Sequence, residues 1–287
     1  MSNFPDIIRF NIGVYIDAIV DWLVTNGEAV FAAITKGTLG FLLAIQSFIM
    51  WVPWYIFILA VILLGMYVST WKSGVIYGAM LFAIGGMGLW EEMAITLAIV
   101  ITSVLISVFI GVPLGILAAY SKRASVFINP LLDAMQTMPS FVYLIPAVMF
   151  FGLGMVPAVF ATIIYATPPA IRLTTLAIRG VSKEMLEAAH SFGSPPWKIL
   201  LQVELPQAFP TIMTGINQTT MMAMAMVVTS SMIGAKGLGL NVLTSINRLD
   251  IAMGFEAGIS IVFLAVIIDR LTQGVANKFN YHNESKE

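Results

Sequence analysis

The chain has 287 residues, of which 59% are hydrophobic and 10% charged, and its net charge is −1. Soluble domains contain about 45–50% apolar and about 25% charged residues, so this composition excludes an ordinary soluble protein and indicates a membrane protein. The sequence has no cysteine, which excludes disulfides and thiolate catalysis, and the near-neutral charge offers no electrostatic footprint for nucleic acid.

The first fifty residues mix apolar and charged side chains. Residues 6–24 alternate apolar groups with charges such as Asp17 and Asp21, a pattern that suits an amphipathic helix at the membrane surface. Residues 28–50 fit either an interfacial helix or a membrane span, and we favour the interfacial helix. We therefore expect residues 1–50 to form an N-terminal amphipathic segment.

About seven membrane spans are predicted after this segment, each near the ~20 residues that a bilayer requires. The first two form a peripheral unit, 51–90, which opens on the aromatic belt around Trp51. The core domain is expected to cover residues 91–275, followed by a cytoplasmic tail at 276–287. The predicted spans are 51–70, 71–88, 91–120, 139–154, 157–178, 209–233 and 255–271. The fold class is therefore an all-α integral membrane protein.

Two features of these spans predict how they pack and bend. In the third span a small residue recurs every four positions, at Ser103, Ser107, Gly111 and Gly115, which allows another helix to approach closely. Prolines bend membrane helices or break them, and one pair is expected to interrupt the fifth span. The four hinge candidates are Pro139, Pro146, Pro168 and Pro169.

Lysine and arginine predict the orientation, because they concentrate on the cytoplasmic side. With seven spans, most of them fall on the side of the polar segment 180–206 and the C-terminus, which are therefore predicted to be cytoplasmic, with the N-terminus outside. An extra crossing at 28–50 would bring the N-terminus inside. The residues on the cytoplasmic side are Lys72, Lys122, Arg123, Arg179, Lys183, Lys198, Arg270 and Lys278.

Segment 180–206 lies between the fifth and sixth predicted spans. It must face water, yet it keeps large apolar side chains such as Phe192 and Trp197, which indicates a docking partner. The run 183–192 predicts a helix that Gly193 ends. Ser194 is expected to cap a second short helix, which ends at Leu205-Pro206.

The segment also carries a spaced motif: Glu-Ala-Ala, three residues, Gly, nine residues, an aliphatic residue, one residue and Leu-Pro. This motif resembles the cytoplasmic EAA loop of the permease subunits of type I ABC importers, with Val203 where isoleucine is commoner. The resemblance implies a pair of short helices that dock in a groove of the ATP-binding subunit. The matching positions are Glu187, Ala188, Ala189, Phe192, Gly193, Val203, Leu205 and Pro206.

Two further stretches, 133–146 and 215–234, are similar to glycine betaine permeases. The similarity covers about residues 90–275. Over this range the chain resembles the permease subunits of the binding-protein-dependent glycine betaine/proline betaine importer family. This resemblance implies a permease for glycine betaine or a related quaternary-amine osmolyte in the bacterial plasma (inner) membrane. The alternatives are a permease for another solute (choline, carnitine or proline) and an ion-coupled secondary carrier. We disfavour the carrier because no buried carboxylate cluster is evident.

The sequence contains no Walker A motif, GxxxxGK[ST]. The chain is therefore expected to be a transport subunit and not an enzyme, to hold no cofactor or metal, and to leave ATP and magnesium to a separate subunit. The resemblance implies three kinds of protein partner: two ATP-binding subunits, an extracellular substrate-binding protein and a second permease copy. It also implies that the chain contacts membrane lipid and binds no nucleic acid.

Polar residues inside apolar spans are candidates for the translocation pathway, because such groups usually face a cavity or a neighbouring helix. Hydrogen bonding between helices stays open as the alternative for each of them. Asp133 and Arg172 are expected to be structural ions near the cytoplasmic interface. The pathway candidates are Gln136, Thr137, Tyr143, Asn217, Gln218 and Thr219.

Overall fold

The structure is a computed structural model that describes residues 12–284, so the predicted 1–50 segment and the 276–287 tail extend beyond the described residues. Within 12–284 all regular structure is helical. The helices are α1 (Ile12–Trp51), α2 (Trp54–Val68), α3 (Trp71–Gly86), α4 (Trp90–Tyr120), α5 (Lys122–Thr137), α6 (Leu144–Phe151), α7 (Met155–Arg179), α8 (Lys183–Ser191), α9 (Pro196–Ile199), α10 (Leu205–Ser230), α11 (Leu238–Arg248) and α12 (Ile251–Glu284). A 3₁₀ turn at Ser140–Tyr143, a π turn at Leu200–Glu204 and a 3₁₀ turn at Ser231–Ile233 lie between them.

The predicted all-helical membrane fold is confirmed, with fewer full-length spans than expected. Among the described residues, four helices are long and apolar enough to cross a membrane, or six if each of two bent pairs forms one span. The sequence predicted about seven, because it counted α2 and α3 as spans and assigned α1 to the membrane surface. They have 15 and 16 residues, fewer than the ~20 of a full crossing, and pack together as a hairpin.

Helix α1 is continuous where the sequence predicted two separate amphipathic stretches. Asn26 lies inside this helix, and its side-chain Nδ2 donates to the Trp22 carbonyl at 2.8 Å. Most of α1 is exposed, whereas Leu42 is buried in a cluster with Ile95 and Ile99 of α4. The length and composition of α1 are also sufficient for a membrane crossing, the alternative that the sequence left open for residues 28–50.

The core is built on α7, which packs between α4 and α10. Helices α4 and α7 run side by side, and the Ser107 hydroxyl donates to the Ile163 carbonyl at 3.5 Å. At Gly115 a Cβ atom would lie 2.6 Å from Cβ of Thr174, which leaves no room for a side chain. The predicted close contact along the small-residue stripe is therefore confirmed.

The four prolines occupy different settings. Pro139 lies in the break between α5 and α6, where the two helical parts differ in direction by 112° and Met138 has an extended ψ of 135°, as expected before proline. Pro146 lies in the first turn of α6, where its missing N–H is harmless. Pro168 and Pro169 are buried inside an unbroken α7. The prediction that they interrupt this helix is wrong, because packing on both sides stabilises the helix.

Candidate functional site

Helix α8 opens segment 180–206 with a well-formed N-terminus. The Ser182 hydroxyl accepts from the Met185 amide at 3.4 Å and donates to Glu184 Oε2 at 2.5 Å. This second bond holds the pKa of Glu184 below its usual value of 4.5, because it stabilises the charged form. The cap fixes the start of α8 four residues after α7 ends.

The end of α8 is set by Gly193, as the sequence predicted. Gly193 has φ of +69°, and its amide donates to the His190 carbonyl at 2.9 Å while the Ser194 amide donates to Ala189 at 3.2 Å. This pair of bonds is a Schellman motif, which satisfies the last carbonyls of the helix. The prediction that Ser194 caps the next helix is wrong: Pro195 holds that position.

The second half of the segment does not end at Leu205-Pro206, as the sequence predicted. Helix α9 continues through the π turn into α10, and the Leu205 amide donates to the Leu200 carbonyl, five residues back. Pro206 then falls in the first turn of α10, where a missing N–H is tolerated. The wider π turn therefore lets the chain pass a proline without breaking.

Segment 180–206 has an inner and an outer apolar face. Ile199 is 3% exposed, and Leu200 and Leu205 pack against the cluster that joins α7 and α10. Phe192, by contrast, is 89% exposed. The exposed large apolar side chains of the segment are Met185, Phe192, Trp197 and Leu201. The inner face thus fixes the segment to the bundle, and the outer face stays exposed.

The motif residues divide between these faces. On α8, Glu187 and Ala188 are exposed and Ala189 is half-buried. Val203 is half-buried beside the inner face, while Pro206 is exposed. Helix α8 packs against α9 and the π turn, so the two halves of the motif, separated in sequence, form one surface.

Both ends of the segment bond to the C-terminal end of α4. Arg179 donates from Nη2 to the Ala118 carbonyl at 2.6 Å and from Nε to Ala119 at 3.4 Å, which places a cation at the negative end of the α4 dipole. At the other end, the Tyr120 hydroxyl donates to Glu204 Oε2. Sequence reasoning used Arg179 only for orientation and missed the Tyr120–Glu204 pair, which joins residues 84 positions apart.

The pathway candidates near the α5–α6 break fall into two groups. Tyr143 is 5% exposed, its hydroxyl donates to the Met135 carbonyl, and its ring lies 6.0 Å from that of Tyr165. Gln136 and Thr137 are exposed. Tyr143 therefore takes part in bonding between helices, whereas the other two side chains remain accessible.

The candidates on α10 also differ from one another. Asn217 donates from Nδ2 to Asp269 Oδ1 of α12 at 2.7 Å, and Gln273 donates to the same oxygen at 2.6 Å. Gln218 is exposed, and Thr219 is fully buried with no hydroxyl partner among residues 12–284. Sequence reasoning missed Asp269, although a single carboxylate in an apolar stretch is itself a signal.

Asp133 and Arg172, which the sequence predicted to be structural ions, form an ion pair between α5 and α7. Both side chains are partly exposed, at 66% and 39%. The pair therefore contributes little free energy to the contact between α5 and α7.

Comparison with known proteins identifies the family. Residues 111–281 match the family described as binding-protein-dependent transport system inner membrane component. The chain belongs to this family. The glycine betaine/carnitine transport permease protein GbuB of Listeria monocytogenes serotype 1/2a (strain 10403S) is 47% identical over 96% of this chain and 98% of its own. The glycine betaine/proline betaine transport system permease protein ProW of Escherichia coli (strain K12) is 47% identical over 89% of this chain and 72% of its own.

A solved structure supports the same fold. One chain of the MetNI methionine ABC transporter, in an inward-facing conformation, aligns with a TM-score of 0.60 and 19% identity, covering 67% of this chain and 95% of that one. The fold is thus that of an ABC importer permease. The chain is a multi-pass transport subunit of the inner membrane and not an enzyme, and it works with a separate ATPase and a substrate-binding protein. This family membership disfavours the ion-coupled carrier.

Proposed function

We propose that the chain forms the translocation pathway for glycine betaine or a related quaternary-amine osmolyte. The observation that carries this proposal is similarity over nearly the whole chain to permeases named for glycine betaine: GbuB, ProW, and OpuAB of Bacillus subtilis (strain 168), which is 40% identical over 97% of this chain. Choline, carnitine and proline remain the competing substrates.

Reconstitution tests the substrate. The permease is placed in liposomes with its ATP-binding subunit, and the binding protein is added outside with labelled glycine betaine. We expect uptake that requires ATP and the binding protein, and competition by an excess of unlabelled glycine betaine. Uptake without these partners would refute an ATP-driven importer, and uptake of choline alone would refute the substrate.

We further propose that segment 180–206 docks on the ATP-binding subunit, which binds ATP and magnesium. The support is an exposed apolar surface that includes Phe192 and Trp197, beside the exposed carboxylate of Glu187, which can pair with a basic residue of the partner. Closure of the ATP-binding subunits would then move α8 and α9 and switch the helices between inward-facing and outward-facing states.

The variant Glu187→Arg tests this docking. We expect the variant to insert in the membrane normally but to retain less ATP-binding subunit on affinity purification. The reason is that the arginine would repel the basic residue of the partner with which the Glu187 carboxylate is proposed to pair. Glu28→Arg is the control, since it makes the same charge change at an exposed position of α1. Equal recovery of the ATP-binding subunit with both variants would contradict the docking proposal.

The assembly and orientation are also proposals. We infer two permease copies with two ATP-binding subunits, a cytoplasmic C-terminus and an outside N-terminus, supported by the lysine and arginine distribution. This orientation requires that α1 lies along the membrane surface and does not cross it, although its length would allow a crossing. The chain has no cysteine, so single cysteines at the exposed positions Val14 and Lys122 can report sidedness. A membrane-impermeant maleimide should label Val14→Cys in intact cells and Lys122→Cys only after permeabilisation; the reverse pattern would refute the orientation.

We propose that the pathway lies along exposed polar side chains of the bundle, where a second copy can complete it. Gln136, Thr137 and Gln218 fit this position, since all three are exposed. The other candidates, Tyr143, Asn217 and Thr219, are buried or bonded to neighbouring helices, which favours the structural alternative for them.

A further inference from the structure

The two ends of segment 180–206 are fastened to one place, the C-terminal end of α4. Arg179, just before the segment, bonds to the carbonyls of Ala118 and Ala119. Glu204, near its end, accepts the Tyr120 hydroxyl. A displacement of the segment therefore acts on α4 through direct bonds, in addition to its packing against α7 and α10.

The Tyr120–Glu204 bond is more than a surface contact. Glu204 is 5% exposed, and a buried carboxylate is strongly unfavourable unless it is hydrogen-bonded. The Tyr120 side chain is itself 56% exposed, so it contributes its hydroxyl rather than packing. The pair thus joins the π turn directly to the last residue of α4.

The opposite end of α4 is bonded to α11. Thr96, which is fully buried, accepts a hydrogen bond from the amide of Leu238, the first residue of α11, at 2.9 Å. Helix α4 has 31 residues and, at about 1.5 Å per residue, spans about 45 Å. One helix therefore connects segment 180–206 with α11 at the far end of the bundle.

We propose that Tyr120 and Glu204 are positioning residues that transmit the displacement of segment 180–206 to α4 and, along α4, to α11. The inference rests on the proposed docking of this segment on the ATP-binding subunit. When the Tyr120–Glu204 bond is lost, the segment still docks on the ATP-binding subunit, but it moves relative to α4 instead of moving α4 with it. Less transport then results from each ATP that is hydrolysed.

The test uses the complete transporter in liposomes and measures ATP hydrolysed per glycine betaine taken up. Tyr120→Phe removes only the hydroxyl, and we expect this ratio to rise about fivefold, the factor that corresponds to about 1 kcal/mol, the net free energy of one hydrogen bond. Glu204→Gln keeps an acceptor oxygen and should stay near the wild-type ratio, whereas Glu204→Leu should match Tyr120→Phe. Tyr55→Phe, at an exposed tyrosine of α2, is the control for loss of a hydroxyl.

A second readout does not depend on substrate. A spin label at Lys236→Cys, an exposed position just before α11, reports the distance between two permease copies before and after trapping with ATP and vanadate. We expect a distance change that Tyr120→Phe reduces while recovery of the ATP-binding subunit is unchanged. An undiminished change, or uptake and hydrolysis that fall in proportion, would overturn the inference. If the label moves in the wild type but glycine betaine is not taken up, the proposed substrate fails and the inference stands.

Discussion

Replacing Gly115 by alanine tests whether α4 and α7 pack as closely as the structure shows. The new Cβ would lie 2.6 Å from Cβ of Thr174 and 2.8 Å from the carbonyl oxygen of Ile171, so the two helices would have to separate. The Gly115 carbonyl also accepts the Thr175 hydroxyl at 2.9 Å, a bond that separation would stretch. Overpacking of this kind lowers the free energy of unfolding by about 1–3 kcal/mol.

The matched control is Gly40→Ala in α1, where a Cβ would meet no described atom within 4 Å. Alanine is favoured over glycine inside a helix by about 0.8–1.0 kcal/mol, and this gain applies to both variants. Their difference in unfolding free energy therefore isolates the packing term of about 1–3 kcal/mol. Denaturant titration of the detergent-purified proteins measures it, and Gly115→Ala equal in stability to Gly40→Ala would refute the close packing.

Three further predictions concern the segment and the α10–α12 contact. Phe192→Ser should leave the thermal midpoint of the permease unchanged, because the ring is 89% exposed, but reduce co-purification of the ATP-binding subunit; a lower midpoint would show an internal role. Asn217→Ala removes a donor to Asp269 and should lower the free energy of unfolding by about 1–3 kcal/mol, measured by denaturant titration. The folded-state pKa of Glu184 is depressed, chiefly by Ser182, so its stabilisation of α8 is present above the unfolded pKa and is lost as pH falls through the folded pKa. Hydrogen exchange of α8 amides should show this pH dependence, and Ser182→Ala should weaken it.

Much of the fold could be predicted from sequence because it depends on neighbours a few residues apart. Apolar runs predicted most of the long helices, Gly193 predicted the end of α8, and the four-residue spacing up to Gly115 predicted a close helix contact. The spacing from Glu187 to Pro206 predicted a docking segment at 180–206. Each of these signals uses local turn chemistry, helical periodicity or a fixed interval along the chain.

The tertiary structure decided the features that sequence patterns over a few residues predict wrongly or do not predict at all. Pro168 and Pro169 stay in an unbroken helix because α4 and α10 pack against it, and the chain passes Pro206 because a π turn precedes it. The partners of Asp269 and Glu204 lie 52 and 84 residues away in the chain. The sequence thus determined that the chain is a helical membrane permease and predicted a docking segment at 180–206. Only the three-dimensional arrangement, which brings distant polar groups together in a low-dielectric interior, determined how that segment is bonded to its neighbouring helices.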